Sequence, residues 1–119
     1  MKILTFSLVT LALLVAPTGR AQFVPGPNPI AGTITAAQTL PSGAGVVSST
    51  GNLEVSGSSN AITVTGTSSI QNDGVINQTG TGRAIRDNTG SLTLTVTNNA
   101  NALLQAADAD AGATLNIVE

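Results

Sequence analysis

The rhythm of apolar and polar positions changes near residue 21. Before it, Lys2 leads a nearly continuous apolar run from Ile3 to Val15. After it, single Ile, Val and Leu residues alternate with Thr, Ser or Glu: Thr33-Ile34-Thr35, Leu53-Glu54-Val55, Ile62-Thr63-Val64-Thr65 and Leu92-Thr93-Leu94-Thr95-Val96-Thr97. A period of two predicts short strands with one buried face. Gly and Asn punctuate them at Gly51-Asn52, Gly57, Asn72-Asp73-Gly74, Gly80 to Gly82, Asn88 to Gly90 and Asn98-Asn99, which predicts turns where left-handed backbone angles cost least. The single helix-tolerant piece, Ala100 to Ala111, is short and uncapped, so a strand at Leu103-Leu104-Gln105 followed by a loop is expected there.

The leading run has the parts of a secretory signal: positive Lys2, an apolar centre, helix-disrupting Pro17 and Gly19, and small residues Gly19 and Ala21 before a cleavage point after Ala21. It falls short of the roughly 20 apolar residues that cross a bilayer. A helical signal peptide over residues 1–21 is therefore expected. Residues 22–30, Gln-Phe-Val-Pro-Gly-Pro-Asn-Pro-Ile, form a Pro-rich lead-in expected to be extended and mobile, with Phe23 and Ile30 placed to cover the first turn of the strand region.

Cutting the remainder at residues 31, 61 and 91 and stacking the pieces aligns Thr33, Thr63 and Thr93, then Ile34, Val64 and Leu94, then Thr35, Thr65 and Thr95. Val55, Ile85 and Leu115 share a further column, and Leu40 with Ile70 and Val46 with Ile76 extend it. The expectation is an all-β chain over residues 31–119, a β-solenoid of about three to four rungs with a period near 30 residues or shorter. Each rung would bury its apolar columns against the next and share backbone hydrogen bonds with it, and Asn and Thr columns would add side-chain ladders.

The stretch Ser69-Ile70-Gln71-Asn72-Asp73-Gly74-Val75-Ile76-Asn77-Gln78-Thr79-Gly80-Thr81-Gly82-Arg83-Ala84-Ile85, with Ile62-Thr63-Val64-Thr65-Gly66 before it, resembles the rungs of bacterial autotransporter passenger domains. The resemblance spans residues 31 to about 118 and is compositional. It implies a right-handed parallel β-helix, exported through the inner membrane of a Gram-negative bacterium and held at the cell surface by a C-terminal outer-membrane barrel. The series of roughly 10-residue alternating strands with aromatic girdles that such a barrel needs is not found after residue 90. The sequence ends mid-strand at Thr114-Leu115-Asn116-Ile117-Val118-Glu119, and the expectation is the N-terminal piece of a longer passenger or a truncated gene.

Composition narrows the chemistry. From residue 22 onward the charged groups are Arg83 and Arg86 against Glu54, Asp73, Asp87, Asp108, Asp110 and Glu119, two positive against six negative, with no lysine and Phe23 as the lone aromatic. Nucleic-acid binding, which draws on clustered cations and stacking rings, is not expected, nor is an anionic membrane partner. His and Cys are absent, which removes disulfides, Ser-His-Asp and Cys-His nucleophiles and the usual zinc ligands, so no cofactor or metal is expected. A glycosidase or lyase would need paired carboxylates, for which Asp73 and Asp87 are the candidates, although Asp also simply favours turns. Asp108-Ala109-Asp110 resembles half of a calcium loop but lacks its continuation. Arg83 and Arg86 flank Ala84-Ile85 and could pair with Asp87 or Glu54 or form a small anion site.

The function expected is a secreted or surface-displayed structural or adhesive module without catalytic residues, contacting glycans or proteins of a host or neighbouring cell. The alternatives are the N-terminal fragment of an exported polysaccharide-acting β-helix enzyme, a disordered exported linker, a self-assembling subunit, or an ice-binding solenoid built on the three Thr-x-Thr pairs.

Overall fold

A computed structural model describes residues 22–106. The expected signal segment 1–21, the Asp108-Ala109-Asp110 motif, the column position Leu115 and the last residues 114–119, expected to be a strand, lie outside them. Ten short strands succeed one another: β1 (Thr33–Ile34), β2 (Gln38–Leu40), β3 (Gly43–Val47), β4 (Asn52–Val55), β5 (Ile62–Val64), β6 (Ser68–Asn72), β7 (Val75–Gln78), β8 (Ile85–Asp87), β9 (Leu94–Asn98) and β10 (Leu103–Ala106). Helices do not occur among the described residues.

The strands build three sheets, with orders β1-β4-β7-β10, β2-β5-β8 and β3-β6-β9. Each strand from β1 to β7 pairs in parallel with the strand three places later, so the chain visits the three sheets in turn and returns to the first, consistent with a β-solenoid-like coil. Parallel neighbours must be separated by a long crossover, and here the two intervening strands supply it.

The register corrects the 30-residue stacking. Thr33 pairs with Asn52 and Asn52 with Val75; Gln38 pairs with Ile62 and Ile62 with Ile85; Gly43 pairs with Ser68 and Ser68 with Leu94. The steps are thus 19 and 23, 24 and 23, and 25 and 26 residues. Of the column Thr33, Thr63 and Thr93, Thr33 consequently falls in the first sheet and Thr63 in the second, while Thr93 immediately precedes β9 of the third. Val55 is partnered by Gln78 and not Ile85, Leu40 by Val64 and not Ile70, and Val46 by Gln71 and not Ile76. The physical reason lies in the corners. Residues 35–37 join β1 to β2, whereas the longer 56–61 and 79–84 join β4 to β5 and β7 to β8.

Alternation within each strand aims every second side chain inward. Leu53 and Ile76 stack in the first sheet, Ile62 and Ile85 in the second with Leu40 beside Val64, and Val47 and Ile70 face inward from the third, all of them buried. Removing each such side chain from water contributes about 1.5–3 kcal/mol.

Three strand-final positions are polar and turn inward to close a corner. Asn72 Oδ1 accepts from the Gly74 N–H (3.2 Å), Gln78 Oε1 from the Gly80 N–H (2.6 Å), and Asp87 Oδ1 from the Thr89 N–H (2.7 Å). All three residues are buried, and each supplies a partner that a turning backbone would otherwise lack. Asn52, Asn72 and Asn98, expected in turns, are therefore strand residues at the edge of turns.

Close stacking selects glycine at the corners. A Cβ on Gly74 would run into the carbonyl oxygens of Gly51 and Ser48 in the preceding turn. Left-handed φ, the reason expected from sequence, applies at Gly57 and Gly90 (φ 75° and 72°) but not at Gly51, Gly74, Gly80 or Gly82.

The Pro-rich lead-in is docked and not loose. Phe23 and Ile30 are buried, and the segment covers the outer edges of β2 and β3. Val24 and Thr39 exchange backbone bonds of 2.9 and 2.8 Å, and the Ile30 N–H donates to Val46 O at 2.8 Å. Asn28 Oδ1 accepts from the Val46 N–H and Gln38 Oε1 from the Gly26 N–H, both at 2.8 Å. Pro25, Pro27 and Pro29 carry no N–H and are exposed, which suits the outermost layer of a sheet.

Candidate functional site

Both arginines of residues 22–119 line one groove of about 330 Å³ on the outer side of the second sheet. Its floor is an outward column in which Thr39, Thr63 and Arg86 are in register on β2, β5 and β8. Its wall is the pair of stacked corners 56–61 and 79–84.

The wall is held from several directions. Gln78 Nε2 donates to Gly57 O (2.9 Å) and Ser59 O (2.7 Å), tying the strand end of one turn to the corner of the preceding turn. The Thr81 N–H donates to Gly57 O at 2.9 Å, and the Ala61 N–H to Arg83 O at 2.8 Å. Gly82 sits so near that corner that a Cβ would stand 2.6 Å from Gln78 Nε2. Asn60 bridges wall and floor: its Oδ1 accepts from the Arg83 N–H and its Nδ2 donates to Thr63 Oγ1, each at 3.3 Å.

The carboxylates among the described residues lie elsewhere. Glu54 is exposed on the first sheet. Asp87 follows Arg86 but points to the opposite face, buried, where it accepts from the Thr89 N–H and hydroxyl and from the Leu92 N–H (3.4 Å). These bonds, the Thr89 backbone first, hold its carboxyl below the usual value of 3.8. Asp73 braces two successive corners, accepting from Asn99 Nδ2 and from Gln71 Nε2 (2.7 Å), which likewise lower its pKa, Asn99 most. The candidate acid pair is therefore not assembled: Asp73 follows β6 of the third sheet, Asp87 ends β8 of the second, and each caps a turn. Nor do the arginines take the partners considered for them, since neither Glu54 nor Asp87 borders the groove.

The outer face of the third sheet carries a broader trough of about 430 Å³ bordered by Ala44, Ser69 and Thr95, which are in register. The next outward column reads Val46, Gln71, Thr97. A threonine array is not formed on this face, because the Thr-x-Thr pair of β9 lies beside Ser-x-Gln and then Ala-x-Val.

Sequence reasoning found Arg83 and Arg86 but missed Thr39, Asn60 and Thr81, because the 30-residue stacking set Thr63 beside Thr33 and hid the second-sheet column. Compared with family models, curated proteins and solved structures, the chain matches none.

Proposed function

We propose that this chain is a structural or adhesive module of the cell surface: a right-handed parallel β-helix belonging to an autotransporter-type passenger, exported by residues 1–21 and carrying no catalytic group of its own. The observation that supports this reading most is the parallel pairing itself: each strand from β1 to β7 joins the strand three places later, so the outward positions of successive turns line up into long polar columns. On this reading the partner that holds the module at the surface is an outer-membrane barrel of the same polyprotein. The outward faces of Thr, Ser, Asn and Gln offer extended polar contact surface to glycans or proteins of another cell, and nucleic acid is not a partner.

An acid pair made of Asp73 and Asp87 is less well supported, since both carboxylates are engaged in bracing turns. The reading is tested by following the native gene product in Gram-negative cells. Protease added to intact cells should degrade an epitope within residues 22–106 while cytoplasmic markers survive. A product that stays with the cytoplasmic fraction contradicts export and display together.

A further inference from the structure

We propose that the groove between Arg83 and Arg86 binds a carboxylate- or sulfate-bearing segment of an extracellular polysaccharide. This deepens the adhesive reading, on which it rests, by naming the partner class of one site.

Charge placement is the first support. Six carboxylates stand against two cations from residue 22 onward, so scattered cations would most simply be neutralised by surface pairing. Instead both arginines border the same groove, and Glu54, Asp73 and Asp87 border none of it. Asp87, one residue from Arg86, is turned inside and satisfied by Thr89 and Leu92. The nearest carboxylate in sequence thus makes its hydrogen bonds away from the groove and forms no direct pair with Arg86.

Chemistry is the second. A guanidinium presents a planar fork of donors that matches a carboxylate or sulfate with two parallel hydrogen bonds, stronger than a neutral pair. Around the two forks the groove offers hydroxyls and amides of Thr39, Thr63, Asn60 and Ser58, which can both donate to and accept from ring hydroxyls. A polar lining without aromatic rings suits a hydrated sugar better than an apolar ligand or a nucleobase, which would ask for a stacking face.

Shape is the third. At about 330 Å³ the groove lies at the small end of ligand sites, roughly 300–1,000 Å³. Its floor crosses three adjacent strands of the second sheet, spaced about 4.8 Å apart, so that a chain laid along it meets Thr39, Thr63 and Arg86 in succession. Gln78 and Asn60 tie the two corners of the wall together and to the floor, so the groove is held by the protein's own hydrogen bonds.

The test is calorimetric titration of the purified full chain with oligogalacturonate, sulfated heparin oligosaccharide, neutral dextran and inorganic sulfate at matched ionic strength. Binding to at least one anionic saccharide is expected, with dextran at least tenfold weaker; the stronger of the two anionic sugars identifies carboxylate or sulfate as the recognised group. Arg83→Gln and Arg86→Gln should each weaken it about tenfold, the equivalent of about 1.4 kcal/mol. Thr81→Glu, which sets a carboxylate on the exposed wall while leaving both arginines in place, should weaken it as much and raises no question of folding. Circular dichroism of each variant should match the parent. No binding to either anionic sugar, equal binding of dextran, inorganic sulfate binding as well as the saccharides, or affinity unchanged by Thr81→Glu overturns the proposal. Each of these outcomes is independent of whether the protein reaches the cell surface, which the protease experiment on intact cells decides separately.

Discussion

Phe23 occupies the space that Gly45 leaves empty. Gly45 shares its column with Ile70 and Val96, so an aliphatic side chain is the rule at that inward position. In the first turn the side chain is missing, and the Phe23 ring lies where it would be: a Cβ on Gly45 would stand 2.7 Å from Cε1 and 3.0 Å from Cε2. The lead-in segment thus completes the core of the first turn as well as covering its edges.

Phe23→Ala should therefore open a cavity over β3 and cost about 3 kcal/mol, the lower end for truncating a buried aromatic. Gly45→Val should cost a comparable amount by expelling the ring. Urea unfolding of the two single variants and the double variant checks this. Coupling is expected in the double variant, because one added side chain partly fills what the other loses; strict additivity would show that the two residues do not share the space.

Gly74→Ala should destabilise by about 1–3 kcal/mol, since the new methyl meets backbone carbonyls of Gly51 and Ser48 that cannot rotate away. Gly32→Ala is the contrast. Its Cβ would find open space and its φ lies outside the left-handed region, so a gain of about 0.4–1 kcal/mol from a less flexible unfolded chain is expected. Thermal unfolding of both variants should move in opposite directions.

Asn72 links two sheets through one side chain. Its Nδ2 donates to Asn98 Oδ1 (2.7 Å) and to Leu103 O (2.8 Å), while its Oδ1 receives the Gly74 N–H. Asn72→Leu keeps the branching of the side chain but strands these partners, at a cost of about 1–3 kcal/mol. Amide exchange of residues 99–104 should accelerate more than that of β2 and β5. Uniform acceleration would mean that the bond network is not local.

Acid should weaken the fold through Asp73 and Asp87. Both have folded pKa values below the ordinary 3.8, so their contribution is fully present above the unfolded value, about 3.9, and is lost as pH falls through the depressed folded values. Asp87→Asn should lower the melting temperature at pH 7, where it replaces a charged acceptor for Thr89, and the difference from the parent should shrink by pH 3. A difference that stays constant across that range would show that the charge on Asp87 does not stabilise the corner.

Much of the strand content is written in the alternation: β1, β4, β5 and most of β9 coincide with apolar residues that alternate with polar ones, and β10 covers Leu103-Leu104-Gln105, strand as its uncapped surroundings suggest. Stacking register is harder to read, because a Thr-x-Thr strand looks the same in all three sheets and carries no information about which sheet it joins. A better ruler lies in the corners. Gly51, Gly57 and Ala61-Ile62 recur 23 residues later as Gly74, Gly80 and Ala84-Ile85, the step at which Asn52 pairs with Val75. Glycines that must stack on the preceding turn repeat with the coil, whereas strand residues need only be apolar or polar. The groove was legible only in part for the same reason: its arginines stand out by charge, but Thr39 and Asn60 join them through a register that alternation does not set.

The most direct test of the coil is a pair of double-cysteine variants in a chain that has no cysteine. Thr39 and Thr63 are register partners on adjacent parallel strands, within the roughly 4.4–6.8 Å Cα separation that a disulfide spans, whereas Thr33 and Thr63 lie in different sheets. Mild oxidation should close Thr39→Cys/Thr63→Cys and leave Thr33→Cys/Thr63→Cys with two free thiols. Closure of the second pair and not the first would restore the 30-residue stacking and contradict the fold described, the groove with it.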